Sequence, residues 1–314
     1  MTGRPLATLL EQRRMLILDG ALGTELQRRG VDTGLPLWSA KVLLDAPDVL
    51  LRIHQDHIDA GADIIAANTW RTAARTFHRA GYPDRSAELT AQAVAIAMEA
   101  RASRPGRTVL VAGSMGPLED CYRPALVPPD LELRIEHAEH AGRLAAAGVD
   151  LIMLETFGTI REARIACRAA LATGKEVILS FLCRADGCLY GGEPLADAVA
   201  ATADLPVAGL SINCAPARSL TRMVEDLRSC VAHTRTDGLS CLMAYGNVGR
   251  EGGEDDEVFI TTVSPVEYGV LAQSWMDHGA RIIGGCCGTT PEYIAAVREA
   301  LDRSRAADPD ARST

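Results

Sequence analysis

A chain of 314 residues, 47% of them hydrophobic, is long enough to bury one large core, and its net charge of −9 argues against a phosphate-backbone partner, so nucleic acid is not expected. No apolar run is long enough to span a membrane, and Met15 to Leu18 behind Arg13 and Arg14 is too short for a signal peptide, which places the chain in the cytoplasm. Nine cysteines without a disulfide-rich spacing fit that reducing compartment, as core fillers or metal ligands.

Taken in chain order, the first expected strand is Leu16 to Leu18, and it runs into Asp19-Gly20-Ala21-Leu22-Gly23. That turn is a poor match to the glycine-rich phosphate turn of a doubly wound sheet. A helical period over Asp48 to Asp59 leads through Ala60-Gly61 into a second strand, Asp63 to Ala67, followed by Asn68-Thr69. The helix Ser86 to Arg101 precedes the strand Val109 to Ala112 and Ser114, and the helix Leu131 to Ala147 precedes the strand Leu151 to Leu154 and Glu155. After the helix Ile160 to Leu171 come the strands Val177 to Leu182, Val207 to Ile212 and Cys241 to Ala244. Asn213-Cys214 follow the sixth strand, and Tyr245 and Asn247 the seventh. The eighth, Arg281 to Ile283, opens into Gly284-Gly285-Cys286-Cys287-Gly288 before the helix Pro291 to Arg303.

The segments Ala60-Gly61-Ala62-Asp63, Ala147-Gly148-Val149-Asp150 and His278-Gly279-Ala280-Arg281 each read as a helix end, a glycine cap and a buried strand, at a spacing that divides into units of roughly 44 residues. Eight such alternations point to a single (β/α)8 TIM-type barrel over residues 1–304, with 305–314 as a flexible tail. In that fold the C-terminal strand ends face one mouth, so the polar and reactive residues just past each strand would converge there.

The adjacent pair Cys286 and Cys287 is the sharpest chemical signal. In a regular strand neighbouring side chains point to opposite faces, so both sulfurs reach one ion only where glycines let the backbone leave strand geometry. Cys214, at the end of a strand one neighbour away, is the natural third ligand, and three thiolates with an open position form a catalytic zinc pattern. The alternatives are three small buried hydrophobes, or a strained disulfide between the adjacent pair.

In order and spacing, Asp19 to Leu26, Asn68-Thr69, Gly113-Ser114-Met115-Gly116-Pro117, Leu154-Glu155-Thr156, Asn213-Cys214 and Gly284 to Pro291 resemble the signatures of the homocysteine S-methyltransferase family over nearly the whole chain. The resemblance implies a zinc-dependent barrel in which Cys214, Cys286 and Cys287 hold Zn2+ and the substrate thiol completes the coordination. It implies that Glu155 binds the amino group of homocysteine, with Asp19, the Gly20 and Ala21 backbone and Asn213 beside the amino acid, and that Asn247 occupies the metal when substrate is absent. The relatives that use betaine carry a tyrosine where this chain has Thr156, which disfavours betaine, and a proline is usual where Gly246 stands. Leu37-Trp38-Ser39-Ala40-Lys41 resembles the branch that uses S-methylmethionine or S-adenosylmethionine, so a sulfonium is the expected methyl donor. The alternative is a homocysteine-binding subunit that works with a separate corrinoid or folate methyl-carrier protein.

The chemistry explains the metal. A free thiol with a pKa near 8.5 is only a few per cent thiolate at neutral pH, so full deprotonation is worth about 30-fold, or roughly 2 kcal/mol. Other features are expected to be bland. His54 with His57 and His137 with His140 lie three apart on helices and are expected to be solvated; Cys121, Cys183 and Cys188 are expected to be loop or core thiols. The acidic run Glu251 to Glu257 is expected to form a loop, and a lid over the site.

Overall fold

The computed structural model describes residues 3–234, 239–251 and 259–307. Ten strands occur among them: β1 (Leu16–Ile17), β2 (Ile64–Ala67), β3 (Leu110–Met115), β4 (Leu151–Phe157), β5 (Glu176–Phe181), β6 (Gly209–Pro216), β7 (Cys241–Asn247), β8 (Gly249–Glu251), β9 (Phe259–Thr261) and β10 (Ala280–Gly285). Eight of them form one parallel sheet in the order β1-β10-β7-β6-β5-β4-β3-β2, and a parallel bridge between Leu18 and Ile64 joins its two edges. The sheet is thereby a closed (β/α)8 barrel, as expected, while β8 and β9 make a small antiparallel hairpin after β7.

Side-chain parity explains both the core and the site. Leu16 and Leu18, Leu151 and Met153, Ile178, Met243 and Ile282 share an interior cluster, whereas the alternate residues Ile17, Ile152, Leu154, Val177, Leu179 and Ile283 pack outward against the helices. Leu6, Leu9 and Leu10 of the N-terminal helix Pro5–Gln12 belong to the interior cluster and close the end of the barrel remote from the strand C-termini. Continuing the inward parity toward those C-termini reaches Ser114, Glu155, Ser180, Asn213, Tyr245 and Cys286. The apolar interior therefore ends in a polar layer at the mouth where this fold builds its active sites.

The expected helices are present, as Pro47–Ala60, Ser86–Ala102, Asp130–Ala147, Ile160–Leu171 and Pro291–Ala307. Gly61 and Gly148 cap the first and third in the left-handed conformation. The histidine expectation is corrected: His54, His57, His137 and His140 are buried, because their helix faces turn toward the barrel. His140 Nε2 lies 3.3 Å from the Thr72 hydroxyl and His137 Nε2 lies 3.1 Å from Glu162 Oε1. Burial pulls the pKa of His54, His57 and His140 down to about 3, so all three are neutral at physiological pH. The acidic run expected as a lid lies outside the described residues apart from Glu251, and 308–314 of the expected tail do as well. Among the described residues no helix is long and apolar enough to cross a membrane.

Candidate active site

The mouth encloses a cavity of about 380 Å³, within the range of small-molecule sites. Its floor is the cysteine cluster. The chain leaves strand geometry after Gly285. A methyl group at Gly284 would lie 2.6 Å from Leu18 Cβ, and one at Gly285 would lie 2.3 Å from Thr289 Oγ1, so both positions require glycine. Thr289 then donates to the Cys286 carbonyl and accepts the Ala21 N–H, tying the β1 loop to the cysteine loop. Cys214 reaches the same point from β6 by adopting φ +58°, a left-handed conformation rare for a side chain of this kind.

The Sγ atoms of Cys214, Cys286 and Cys287 all lie within 4.8 Å of one another, with Cys214 and Cys287 3.7 Å apart. A tetrahedral centre with metal–sulfur bonds of about 2.3 Å places its sulfurs about 3.8 Å apart, so the donor set fits one metal ion. None of the nine cysteines is in a disulfide, the adjacent pair included. Hydrogen bonds from Cys286 and Cys287, then from Tyr122 and Asn247, hold Cys214 well below the usual thiol range against the opposing effect of burial. Its hydrogen bonds to Cys214 and Cys287, together with burial, push Cys286 up, so of these two thiols Cys214 ionises first.

Asn247 lies between the two cysteine loops. Its Nδ2 donates to the Cys214 carbonyl at 2.9 Å and its Oδ1 accepts the Cys287 N–H at 3.0 Å.

Glu155 projects inward from β4 and accepts hydrogen bonds from the Ser114 hydroxyl and, at 2.9 Å, from the Tyr245 hydroxyl. The following helix begins at Ile160 with Thr159 as its cap and Glu162 in its first turn, so Glu155 is not a helix N-terminal charge. Asp19 is buried and accepts the Ala66 N–H at 3.0 Å. Desolvation is the chief cause that raises the pKa of both carboxyls, and each is raised further by a neighbouring negative group, Glu155 beside Asp19 and Cys214 beside Glu155. Two carboxyls that resist ionising alone are suited to share a cation. Asn213 Oδ1 accepts from the Thr156 N–H and the Ser180 hydroxyl, which fixes the ends of β4 and β5 around it.

All nine candidate residues thus gather around one mouth, and eight of them line the cavity; Asn247 stands behind the cysteines. Sequence reasoning passed over Trp70, Arg71 and Tyr122. Trp70 and Arg71 directly follow the strand-end pair Asn68-Thr69, a signal that could have found them. Tyr122, whose hydroxyl is 3.2 Å from Cys214 Sγ, comes from the long loop after β3 and has no spacing to betray it.

A barrel whose mouth carries three convergent thiols and a pair of buried carboxyls is an enzyme of the metal-using thiol-alkylating class. The sequence model described as homocysteine S-methyltransferase matches residues 16–301, and the chain belongs to that family of methyltransferases. A homocysteine S-methyltransferase of Escherichia coli (strain K12) is 35% identical, the alignment covering 94% of this chain and 97% of the relative. A selenocysteine Se-methyltransferase of Brassica oleracea var. italica is 30% identical over 91% of this chain and 88% of its own. The crystal structure of the homocysteine methyltransferase MmuM from Escherichia coli in its metallated form superposes with a TM-score of 0.81 at 30% identity, covering 94% of this chain and 99% of that one.

Proposed function

We propose that the protein transfers a methyl group from a sulfonium donor to the thiol of homocysteine, giving methionine, and that its metal is zinc. The observation that carries this reading is the convergence of Cys214, Cys286 and Cys287 on the floor of a cavity that also holds Asp19 and Glu155. Zinc held by the three cysteines supplies the Lewis acidity that keeps an acceptor thiol ionised at neutral pH. Residues 1–304 act as one homocysteine-binding domain.

The remaining work falls to the protein. Glu155, kept in place by Ser114 and Tyr245, takes the ammonium of homocysteine together with Asp19, and the Gly20-Ala21 turn lies along the amino acid. Asn213 and Asn247 are positioning residues: one fixes the strand ends that carry Glu155, the other braces the two cysteine loops. In the transfer the thiolate pair forms the new carbon–sulfur bond while the old one breaks, its electrons staying on the donor sulfur. A cation and an anion become two neutral thioethers, a change favoured where water is excluded. Trp38 and Trp70, edge to face with ring centroids 5.8 Å apart, line the cavity and supply aromatic surface for a cationic donor.

The test is a donor panel with purified, zinc-loaded protein and homocysteine. S-methylmethionine or S-adenosylmethionine should support methionine formation without any second protein. Turnover that appears only with a corrinoid or folate methyl-carrier protein would replace this reading with that of a homocysteine-binding subunit.

A further inference from the structure

Arg71 is the one cation lining the cavity among the described residues. It makes no ion pair or hydrogen bond there, and its Nε is sealed from solvent without an acceptor. Desolvation draws its pKa below the ordinary guanidinium value. The acidic groups nearest it are engaged elsewhere: Glu119 binds Arg75 and Arg79, and Asp120 accepts the Tyr122 N–H. Arg71 as a whole is half-buried, with its other guanidinium nitrogens left to the cavity. A partly desolvated charge without a partner is costly, and such groups are ordinarily paired or bound to a ligand.

The guanidinium is also held in orientation. It stacks on the Trp70 ring with Cζ 4.5 Å from the centroid. Trp70 in turn packs so closely on Gly116 that a methyl group there would lie 2.2 Å from its Nε1. A planar fork fixed on an aromatic face, with its donors unused, is the side chain suited to bidentate capture of a carboxylate. Asp19 and Glu155 suit an ammonium rather than a carboxylate, so the acceptor's amino end and the carboxylate at Arg71 are met by different side chains.

We propose that Arg71, lying unpaired against Trp70 at the cavity wall, recognises the carboxylate of the methyl donor, so that the donor is a sulfonium that also bears a carboxylate. This inference rests on the sulfonium reading above and adds a selection that the cysteine centre cannot make. It excludes simple alkyl sulfonium ions as good donors.

The experiment compares wild type with Arg71→Met and Arg71→Lys, using S-methylmethionine and its carboxyl methyl ester. In Arg71→Met the donor KM should rise about 30-fold, the scale of a charge-assisted bidentate contact, while the homocysteine KM stays within about two-fold. Wild type should prefer the acid over the ester by a similar factor, Arg71→Met should lose that preference, and Arg71→Lys should fall between. Calorimetric titration of S-methylmethionine into zinc-loaded protein without homocysteine should give the same loss of affinity. A wild type that binds the acid through Arg71 yet transfers no methyl would defeat the functional reading and support this one. Absence of binding to wild type, equal binding to Arg71→Met, a retained preference for acid over ester, or a loss that falls on homocysteine would each overturn it.

Discussion

Cys286→Ala should leave the protein without its metal and lower methyl transfer by about three orders of magnitude or more, since several kcal/mol of Lewis-acid activation would disappear with the ion. Two sulfurs cannot hold the ion against water as three do. Cys286 is also the cysteine that parity directs inward from β10 and that donates to Cys214, so its loss raises the Cys214 thiol toward its ordinary range. Cys230→Ala serves as the control, because that thiol packs on the helix Ala217–Thr234 against the outer core and is no part of the cluster. Metal content by elemental analysis, with turnover measured alongside, distinguishes the two. Retention of one equivalent of metal and of activity in Cys286→Ala would contradict the cysteine assignment.

Glu155→Gln should weaken homocysteine binding on the order of 100-fold while making the apo protein more stable, a combination that only a functional carboxylate gives. The first half follows from removing the charge that pairs with the ammonium. The second follows from linkage. The folded-state pKa of Glu155 lies above its unfolded value, so its contribution to stability is fully present below the unfolded pKa and is lost as pH rises through the folded one. Above that folded-state pKa the desolvated carboxylate is a cost, and glutamine, which keeps the shape, removes it. Each kcal/mol recovered raises the melting temperature by about 2 °C for a chain of this size, and the advantage should shrink as pH is lowered. Thermal denaturation at two pH values and the homocysteine KM are the measurements. A variant of unchanged KM, or one less stable at every pH, would assign Glu155 a structural role instead.

Much of this architecture was legible in the residues. The glycine-capped helix ends and short apolar runs located all eight barrel strands, because a parallel strand buried on both faces has few other ways to look. Cys214 was found as the partner of Cys286 and Cys287 from strand-end position alone, and Glu155 fell into place for the same reason. What stayed hidden depends on side-chain direction across the mouth. Nothing in the spacing of His54, His57, His137 and His140 says that their faces turn inward to a partner such as Glu162 or Thr72. Asn247 sits at a strand end as expected, yet which way its amide points is decided by the backbone of two distant loops. Tyr122 and Arg71 take their meaning from loops meeting over the barrel, a contact with no local signature.

The central claim is that three cysteines hold zinc with one position kept for the acceptor sulfur. Zinc-edge X-ray absorption on the loaded protein, before and after adding homocysteine, tests it most directly. The sulfur coordination number should rise from three to four, and with selenohomocysteine a zinc–selenium distance should appear in place of the fourth sulfur. A centre already closed by four protein ligands, unchanged by either acceptor, would contradict it.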